Sequence, residues 1–518
     1  MFRLAVLVCG MVSVNAVYIW PSPQLDALEA LRWDQSRNGV TNLVQPCNDF
    51  VSAGGAHSGR SNAADWIRTA FHDMATYNKT SGTGGMDASI RFAEEQARPE
   101  DPGDGFQLTS AEFVAISTRY ISVADALAAG TVLAIENCGG PEIAFRGGRV
   151  DAAEPNAPGV PQPQDALASH IAAFARQGFS QTEMIGLVAC GHTFGGVQQS
   201  VFPQIVPVLN DPNNTQSVSH FDSTFATFDN DVATEYISGT TQNPLVVGLN
   251  DTTNSDKRIF GSDGNATMLS FANSADLFSS TCAELLARML DTVPTGVQLT
   301  DIIAPLLVKP DDLKLDLSVD GATIQFSTEV RLWDLPKGNH TVLLLWDDHV
   351  RAVSNVTLSA ADVETASGGR YTASWFNTPI LTLRAVAGIT NMRFSVDGTV
   401  EDQGGIGFPV QDTLMWSKST CFAFINANTI GELYVAVRNT VTPTRVYVEI
   451  PGRDNVSRPI VTAVDLTQQP MTINATYTIW SGQVTNKFTF LGIGAEIDGV
   501  TVSRDDLRSN NNFAQCAV

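Results

Sequence analysis

Positive charge is scarce in this sequence. Lys and Arg together number 31 against 54 Asp and Glu, so the formal charge is −23 and the isoelectric point is near 4.6. A surface of that sign repels phosphate backbones, which disfavours nucleic-acid binding. Charged residues make up only 16% of the chain while 43% is hydrophobic, which excludes a disordered chain and allows a buried core. At 518 residues, the chain is long enough for two or three domains.

Long apolar runs are also missing. No segment approaches the length of about 18 uninterrupted apolar residues at which a run becomes a candidate membrane span. The N-terminus has a shorter pattern, in which Arg3 precedes an apolar run over residues 4–14 and a small-residue cleavage site at residues 14–16. This pattern predicts a signal peptide over residues 1–16 and a secreted, extracellular protein. A buried N-terminal helix is the alternative.

Cysteine is infrequent, and its count agrees with export. Cys9 lies in the predicted signal peptide, which leaves six cysteines, and an even number in a secreted chain indicates disulfides. Their spacing is compatible with fifteen pairings and selects none. Eight N-x-S/T glycosylation sequons also fit a secreted glycoprotein, and they begin at Asn78, Asn213, Asn250, Asn265, Asn339, Asn355, Asn455 and Asn474.

The two halves of the chain differ in pattern. Helical periodicity predominates from residue 20 to about 295, with helices expected over 24–32, 63–74, 109–133, 165–175, 182–190 and 282–290. Beyond the break at 292–296, short alternating runs rich in Val, Thr, Ile and Tyr predict strands, for example over 313–319, 342–346, 434–437 and 446–450. The predicted fold class is a mainly α domain followed by an all-β, sandwich-like region.

A weak internal repeat runs through the β region. The segments beginning at Tyr371 and Tyr477 share a Tyr-Thr start and a Trp, and they lie 106 residues apart. Val342 and Val446, each opening a strand-like run, lie 104 residues apart. These spacings favour two β modules, over 300–415 and 416–518, behind a helical domain over 17–295. Chance resemblance between strand-rich segments is the alternative.

One hexapeptide in the helical half indicates chemistry. In Arg68-Thr69-Ala70-Phe71-His72-Asp73, Arg68 and His72 are four residues apart, so on a helix both side chains project from one face. A neutral imidazole can take the proton from one peroxide oxygen while a guanidinium stabilises charge developing on the other. A surface arginine beside a buried structural histidine is the competing interpretation of this segment alone.

A second histidine strengthens the chemical interpretation. Cys190-Gly191-His192-Thr193-Phe194-Gly195 ends a helical run with an imidazole followed by glycine, a plausible arrangement for the proximal ligand of a haem iron. A non-haem metal site using the same histidines would leave Arg68 unexplained, because a cation near a divalent metal costs Coulomb energy.

Four motifs in order resemble the secreted plant and fungal haem peroxidases of the plant-peroxidase superfamily, and the fungal class II branch in particular. They are R-x-x-F-H-D at 68–73, G-x-D-x-S at 85–89, G-H-T-F-G at 191–195 and F-D-S-T at 221–224 followed by Phe228-Asp229. The resemblance covers roughly residues 40–290. It implies a haem b peroxidase domain that uses hydrogen peroxide.

The resemblance also assigns roles to single residues. His72 would be the distal acid and base, Arg68 its charge-stabilising partner, and Phe71 matches the secreted branches. His192 would bind the iron, and Asp263 would accept the His192 N–H, since residues 258–263 resemble the family segment that carries this carboxylate. Asp276 is the rival candidate for that carboxylate.

Two calcium ions and a disulfide frame follow from the same resemblance. The distal calcium site would use Asp73, Gly85, Asp87 and Ser89, and the proximal site Thr193, Asp222, Thr224, Thr227 and Asp229. Cys47–Cys138 resembles the family disulfide on the distal side, and Cys190–Cys282 and Cys421–Cys516 are expected for the remainder.

Departures from the family pattern narrow the expected substrates. The distal relay of Glu and Asn six apart corresponds here to Glu95 and Asp101, and an ionised Asp accepts but cannot donate. At the positions of the manganese carboxylates stand Ser61, Asp65 and Gln198, and at the position of the lignin-oxidising surface Trp stands Leu187. Neither specialised route is therefore expected. Val160-Pro161 resembles the access-channel segment, which favours small phenolic donors at the haem edge.

The β region carries no comparable motif. Its tryptophans could form a sugar-stacking platform or fill a core, and they are Trp333, Trp346, Trp375, Trp416 and Trp480. A cell-wall polymer is the partner that this architecture suggests. The leading hypothesis is thus a secreted, calcium-stabilised haem peroxidase. The alternative is an inactive peroxidase-like protein of the cell surface that binds wall polysaccharide.

Overall fold

The computed structural model describes residues 18–48, 50, 57–350, 352–425, 428–470, 476–485, 490–508 and 512–516. The predicted signal peptide at 1–16 and the sequon at Asn474 lie outside these ranges. Of the other seven sequon asparagines, six are exposed and Asn78 is half-buried. None of the helices in the described ranges combines the length and the apolar character that crossing a bilayer requires.

The first half of the described chain is helical, as predicted. Its α-helices are α1 (Pro23–Trp33), α2 (Thr41–Val44), α3 (Asn62–Ala75), α4 (Ala93–Gln96), α5 (Gly105–Ile116), α6 (Val123–Asn137), α7 (Leu167–Gln177), α8 (Gln181–Gly191), α9 (Asp231–Ser238), α10 (Ser255–Phe260), α11 (Ala266–Asn273) and α12 (Ala275–Leu290). Short 3-10 helices lie at Ser89–Arg91 and Asp251–Thr253, and a two-stranded sheet pairs β1 (Gly196–Gln198) with β2 (Val218–His220).

One helix that the sequence predicts is divided into two helices in the structure. The Ala-rich stretch over 109–133 divides into α5 and α6 because Ser117 is extended and Ser122 caps the second helix by accepting a hydrogen bond from the Asp125 N–H. The helix α6 is buried along almost its whole length and forms the centre of the helical core with α3 and α5. Its burial on every side explains why its sequence is Ala-rich rather than amphipathic.

The second half of the described chain consists of strands, which confirms the predicted fold class. They are β3 (Val308–Leu317), β4 (Thr323–Trp333), β5 (Val342–Asp347), β6 (Val353–Thr357), β7 (Ser359–Ala366), β8 (Tyr371–Asn377), β9 (Leu381–Arg384), β10 (Asn391–Val396), β11 (Thr399–Glu401), β12 (Phe408–Pro409), β13 (Leu414–Ser417), β14 (Cys421–Ile425), β15 (Asn428–Arg438), β16 (Pro443–Arg453), β17 (Pro459–Asp465), β18 (Thr467–Gln468), β19 (Tyr477–Thr485), β20 (Leu491–Ile497), β21 (Val500–Arg508) and β22 (Ala514–Gln515).

The strands form two sandwiches with one strand order. The first sandwich packs the strands β3-β4-β8-β7 against a sheet of order β11-β10-β5-β6, and the second packs β13-β15-β19-β18 against β21-β20-β16-β17. Matching strands follow the same sequence order in both. Tyr371 opens β8 and Tyr477 opens the matching β19, while Val342 and Val446 lie in the matching strands β5 and β16. The weak sequence repeat therefore corresponds to a repeated topology.

The two sandwiches share one continuous sheet. The first strand of each, β3 and β13, pair in parallel through Trp416 and Asp316, so an eleven-stranded sheet runs through both. Successive side chains of a strand point to opposite faces. In β13, Met415 lies in the first core while Leu414 and Trp416 lie in the second. The sandwich cores consequently lie on opposite faces of the shared sheet, and the predicted module boundary at 415/416 falls inside β13.

Four of the five tryptophans of the β region are buried. Trp333, Trp346, Trp375 and Trp416 are at most 8% exposed, and Trp480 is packed against the second core. These side chains fill cores, as in one of the two interpretations of the sequence, and the four buried ones are not a surface platform for stacking sugars.

Three disulfides close loops of similar length, two in the helical domain and one in the second sandwich. They are Cys47–Cys138, Cys190–Cys282 and Cys421–Cys516, with sequence separations of 91, 92 and 95. These are the pairs expected from the sequence. In the chain-entropy account, a closed loop of roughly this length stabilises the native state by about 4–5 kcal/mol.

A buried ionic network joins the helical domain to the first sandwich. Arg331 on β4 donates from Nη1 to Asp34 at 2.6 Å and from both Nη atoms to Glu29 on α1, and Lys309 donates to Glu29 at 2.7 Å. All four side chains are at most 4% exposed. Beside them, Trp33 packs edge-on against Trp333. Burial of these charges is tolerated only because each has a partner.

Removing one member should therefore destabilise the whole protein. Arg331→Met leaves Glu29 and Asp34 with too few partners, and breaking a buried pair typically costs about 3–5 kcal/mol. Urea unfolding should show this loss. The matched control is Arg445→Met, which breaks two largely exposed pairs, with Asp465 and Glu496, in the second sandwich and should cost about 1 kcal/mol or less per pair. Similar losses in both variants would contradict the importance of the interdomain network.

Candidate active site

The predicted distal pair lies on α3, and one following segment holds both of its members. His72 Nδ1 lies 2.6 Å from Asp101 Oδ1, and Arg68 Nη2 donates to the Pro102 carbonyl at 3.1 Å. The ring of Phe106 lies 4.6 Å from the His72 ring and 4.3 Å below the Arg68 guanidinium. Residues 101–106 thus fix the imidazole and the guanidinium on one face of α3.

The environment of His72 keeps its imidazole neutral. Burial lowers the pKa of His72 to about 4, and the neighbouring Arg68 charge acts in the same direction, while the hydrogen bond with Asp101 opposes the shift. Since Nδ1 donates to Asp101, Nε2 is the nitrogen that remains for accepting a proton from a ligand in the cavity. A base with this pKa is available over the whole range above about pH 5.

The second predicted histidine lies directly after α8. A capping box between Ser180 and Glu183 begins this helix, and the His192 N–H closes its last turn on Val188 O at 2.9 Å. His192 Nδ1 lies 2.7 Å from Asp256 Oδ2, and the His192 ring stacks on Phe221 at 4.0 Å. Asp256 also accepts from Asn243 Nδ2 at 2.8 Å, so the carboxylate is itself held in place.

The prediction that Asp263 is the partner of His192 is wrong, because the carboxylate next to His192 Nδ1 belongs to Asp256. The Asp263 carboxylate instead accepts from the Thr267 N–H at 3.0 Å and the Thr267 hydroxyl at 2.6 Å at the start of α11. The rival Asp276 lies in the first turn of α12. The sequence feature that could have identified Asp256 is a second Ser-Asp pair, Ser255-Asp256, which lies seven residues before Ser262-Asp263. No sequence motif pointed to Asn243 or Phe106.

A cavity of about 440 Å³ is lined by both histidines. Its lining is mainly apolar and aromatic, and includes Phe71, Phe174, Leu187, Phe194, Phe221 and Met289. In both histidines, Nδ1 is hydrogen-bonded to a carboxylate. The Nε2 atom of each ring is therefore the one available to a group in the cavity. An apolar slot with one imidazole available as a metal ligand and a second as a base fits a haem group.

The residues predicted for the distal calcium site lie together. Asp73 Oδ2 accepts from the backbone N–H groups of Asp87 and Ala88 at 3.0 and 2.8 Å, and the Ser89 hydroxyl lies 3.4 Å from Asp73 Oδ1. Burial and the adjacent Asp87 raise the pKa of Asp73 well above its usual value. Gly85, at a φ of 108°, precedes this turn. A bound cation would offset the cost of burying these carboxylates.

The residues predicted for the proximal calcium site also converge. The Thr193 hydroxyl donates to Asp229 O at 2.9 Å, Thr224 Oγ1 donates to Asp229 Oδ1 at 3.1 Å, and the Thr227 N–H donates to Thr224 O. Asp222 Oδ2 is buried without a hydrogen-bond partner among the described residues, and burial raises the pKa of Asp222 to about 7. An orphaned buried carboxylate oxygen within an oxygen-rich loop fits Ca²⁺.

The mouth of the cavity contains the positions that distinguish the specialised family members. Ser61, Asp65, Gln198 and the Val160-Pro161 segment line it. Asp65 is already paired with Arg60 at 2.9 Å, and Arg60 also binds Asp104 at 2.9 Å. Leu187 is 3% exposed, so that position is not at the surface.

Comparison with known proteins agrees with this geometry. The family profile described as "Peroxidase" matches residues 48–274. Residues 48–274 form a peroxidase domain. This domain belongs to the plant-peroxidase superfamily, whose members use haem, and it includes Arg68, His72, His192 and Asp256.

Individual relatives match less of the chain. A WSC domain-containing protein of Arthroderma benhamiae is 40% identical over 317 residues, which cover 60% of this chain and 43% of the relative. The peroxisomal L-ascorbate peroxidase 5 of Arabidopsis thaliana is 37% identical over 139 residues, 27% of this chain and 49% of the relative. The mitochondrial cytochrome c peroxidase of Cryptococcus neoformans is 34% identical over 128 residues, which cover 23% of this chain and 33% of the relative. The chain thus spans less than half the length of these relatives.

Replacement of Asp256 should weaken haem binding, whereas replacement of Asp263 should not. Loss of the partner that orients a metal-binding histidine typically weakens metal binding about 10–100-fold, so Asp256→Asn should lower the affinity of the apoprotein for haem by such a factor in a haem titration. Asp263→Asn is the matched control and should leave the affinity unchanged, because its carboxylate binds Thr267. Equal losses in both variants would contradict the assignment of Asp256.

Proposed function

We propose that this chain is a haem peroxidase that reduces hydrogen peroxide and oxidises small phenolic donors, two donor molecules giving one electron and one proton each per peroxide. The observation that carries this proposal is the pair of carboxylate-anchored histidines lining one apolar cavity, with Arg68 one helical turn from His72. A structural histidine pair would need neither the arginine nor the cavity.

The proposed roles follow from the contacts. His192 would hold the iron through Nε2, and haem b would supply the electrons for cleaving the peroxide O–O bond. His72 Nε2 would accept the proton from one peroxide oxygen and return it to the other, which would leave as water. Arg68 stabilises the negative charge on that departing oxygen. Asp101 keeps the His72 Nδ1–H in place and so fixes the tautomer that can accept.

Calcium and secretion are further parts of the proposal. Two Ca²⁺ ions are proposed, one with Asp73, Gly85, Asp87 and Ser89 and the other with the loop 222–229 and Thr193, because both sets bury carboxylates in oxygen-rich surroundings. The paired cysteines and the exposed sequon asparagines support an extracellular glycoprotein. A polymer of the cell wall is proposed as the partner of the β region on architecture alone.

The optical spectrum of the purified protein with haem and calcium tests the proposal. One equivalent of hydrogen peroxide should shift the Soret band, and a phenol should restore it. His72→Leu should slow the shift by about 10²–10⁴-fold, because general acid–base catalysis contributes that much, without loss of haem. His340→Leu, on the β region, is the matched control and should leave the rate unchanged.

Two results would count against the enzyme. A protein without a Soret band after haem addition would favour a binding protein that lacks activity, the second candidate, which has the support that a 40% identical relative is named for a WSC domain. A Soret band that ignores peroxide would reject the role of His72 and Arg68.

The charges at the cavity mouth favour neutral donors over anions. Arg60 is bound by both Asp65 and Asp104, and Glu100 adds a third carboxylate, which accepts from the Gly159 and Val160 N–H groups. Arg60, Asp65, Asp104 and Glu100 together carry excess negative charge, and the one cation of this group already binds two carboxylates. Some of the similar proteins are named for ascorbate, which is an anion, so the donor is proposed to differ from theirs.

Steady-state kinetics at low ionic strength should show this preference. The KM for ascorbate should exceed that for guaiacol, a neutral phenol. Asp104→Lys should lower the ascorbate KM about tenfold or more by reversing a charge at the mouth, with little change for guaiacol. Glu401→Lys makes the same charge change on β11 and should alter neither KM. Ascorbate oxidation as efficient as guaiacol oxidation in the unmodified enzyme would refute the donor proposal.

A further inference from the structure

One amide beside the distal calcium residues makes more contacts than it has protons. Asn156, on the loop between α6 and α7, places Nδ2 at 3.0 and 2.9 Å from the two Asp87 carboxylate oxygens, 2.9 Å from Ser89 Oγ and 3.4 Å from Thr76 Oγ1. An amide NH₂ carries two hydrogens, so at most two of these four contacts can be two-centre hydrogen bonds. Oxygens that converge on one point are the arrangement that a hard cation requires.

The amide oxygen can take the place of the nitrogen without other movement. A half-turn about the Cβ–Cγ bond exchanges Nδ2 and Oδ1, and the two orientations differ only in hydrogen bonding. With Oδ1 turned inward, it would face both Asp87 carboxylate oxygens, and these acceptors repel one another unless a cation lies between them. The two orientations of Asn156 therefore correspond to a donor to Asp87 and to a ligand of a metal ion.

The charges around Asn156 favour the ligand. Glu95 is fully buried, and its Oε2 has no hydrogen-bond partner in the described part of the chain, with the Arg98 guanidinium at 3.6 Å. Glu95 Oε1 accepts from the Asn156 N–H at 2.5 Å. Asp73, Asp87 and Glu95 together bring three buried carboxylates to one cluster, which exceeds the two guanidinium charges near it, those of Arg98 and Arg91. Negative charge buried in this way calls for a cation more than for a further neutral donor.

We propose that Asn156 is a ligand of the distal calcium ion through Oδ1, in addition to Asp73, Gly85, Asp87 and Ser89. This inference rests on the calcium site of the proposed function. It assigns to Asn156 a role that no motif in the sequence indicated.

A ligand at Asn156 connects calcium to the access channel and the distal base. Three residues beyond it, the Gly159 and Val160 N–H groups donate to Glu100 Oε1 at 2.8 and 3.3 Å. Glu100 immediately precedes Asp101, which holds His72. Calcium would thus anchor one end of the segment 156–160, whose other end is fixed to the loop that positions the imidazole.

Calcium bound per chain, measured on the intact protein over a series of chelator-buffered free calcium concentrations, tests the proposal. We expect two binding steps in the unmodified protein. Asn156→Ala should move one step to about tenfold or more higher free calcium, because ligand number sets the affinity of such sites, and should leave the other step as an internal reference. Asn156→Asp, which keeps an oxygen and adds charge, should restore or tighten the step and also covers the case that the Ala variant fails to fold.

The control and the contrary outcomes separate the possible failures. Glu154→Ala removes a carboxylate from an exposed position of the same loop and should shift neither step by more than about threefold. If Asn156→Ala leaves both steps in place, or Asn156→Asp weakens the step, the amide only donates to Asp87 and the proposal is overturned while calcium binding stands. If the unmodified protein binds no calcium, the calcium part of the proposed function fails as well.

Discussion

Two imidazoles in an apolar cavity can keep defined tautomers only if each has its own buried acceptor. Here Asp101 serves His72 and Asp256 serves His192, each at Nδ1 and each within 2.7 Å. The consequence is that the reactive nitrogen of both rings is Nε2. The rest of the helical domain maintains this arrangement, since α3 and α8 carry the histidines while the segment 101–106 and the start of α10 carry the carboxylates.

This arrangement places negative charge in the interior of the helical domain. Asp73, Asp87 and Glu95 add to the carboxylates of the two histidine pairs, all in a protein with few cations. Arg60 and Arg98 each serve carboxylates close to the cavity, and Arg331 serves two more at the domain interface. The proposed calcium ions would offset part of this buried negative charge.

Features that depend on residues close together in the sequence could be predicted, whereas features that depend on contacts between distant segments could not. Arg68 and His72 could be placed together because a helix fixes residues four apart on one face, and the alternation of apolar residues was enough to distinguish the helical from the β half. Asp256 could not be distinguished from Asp263, since Ser-Asp occurs twice and the choice depends on where α10 begins. Phe106, Asn243 and Asn156 contact the site only through tertiary packing, which no local pattern encodes. The division between α5 and α6 was hidden because alanine suits both a single helix and two.

The shared strand β13 limits how the repeated β region can be divided. All four of its residues are buried, and its three apolar side chains enter different sandwich cores, so a polar replacement at any of the three would disturb one core. Cutting the chain at the point where the repeat divides would open both cores at once. The two sandwiches therefore repeat one topology but cannot be separated with both cores intact.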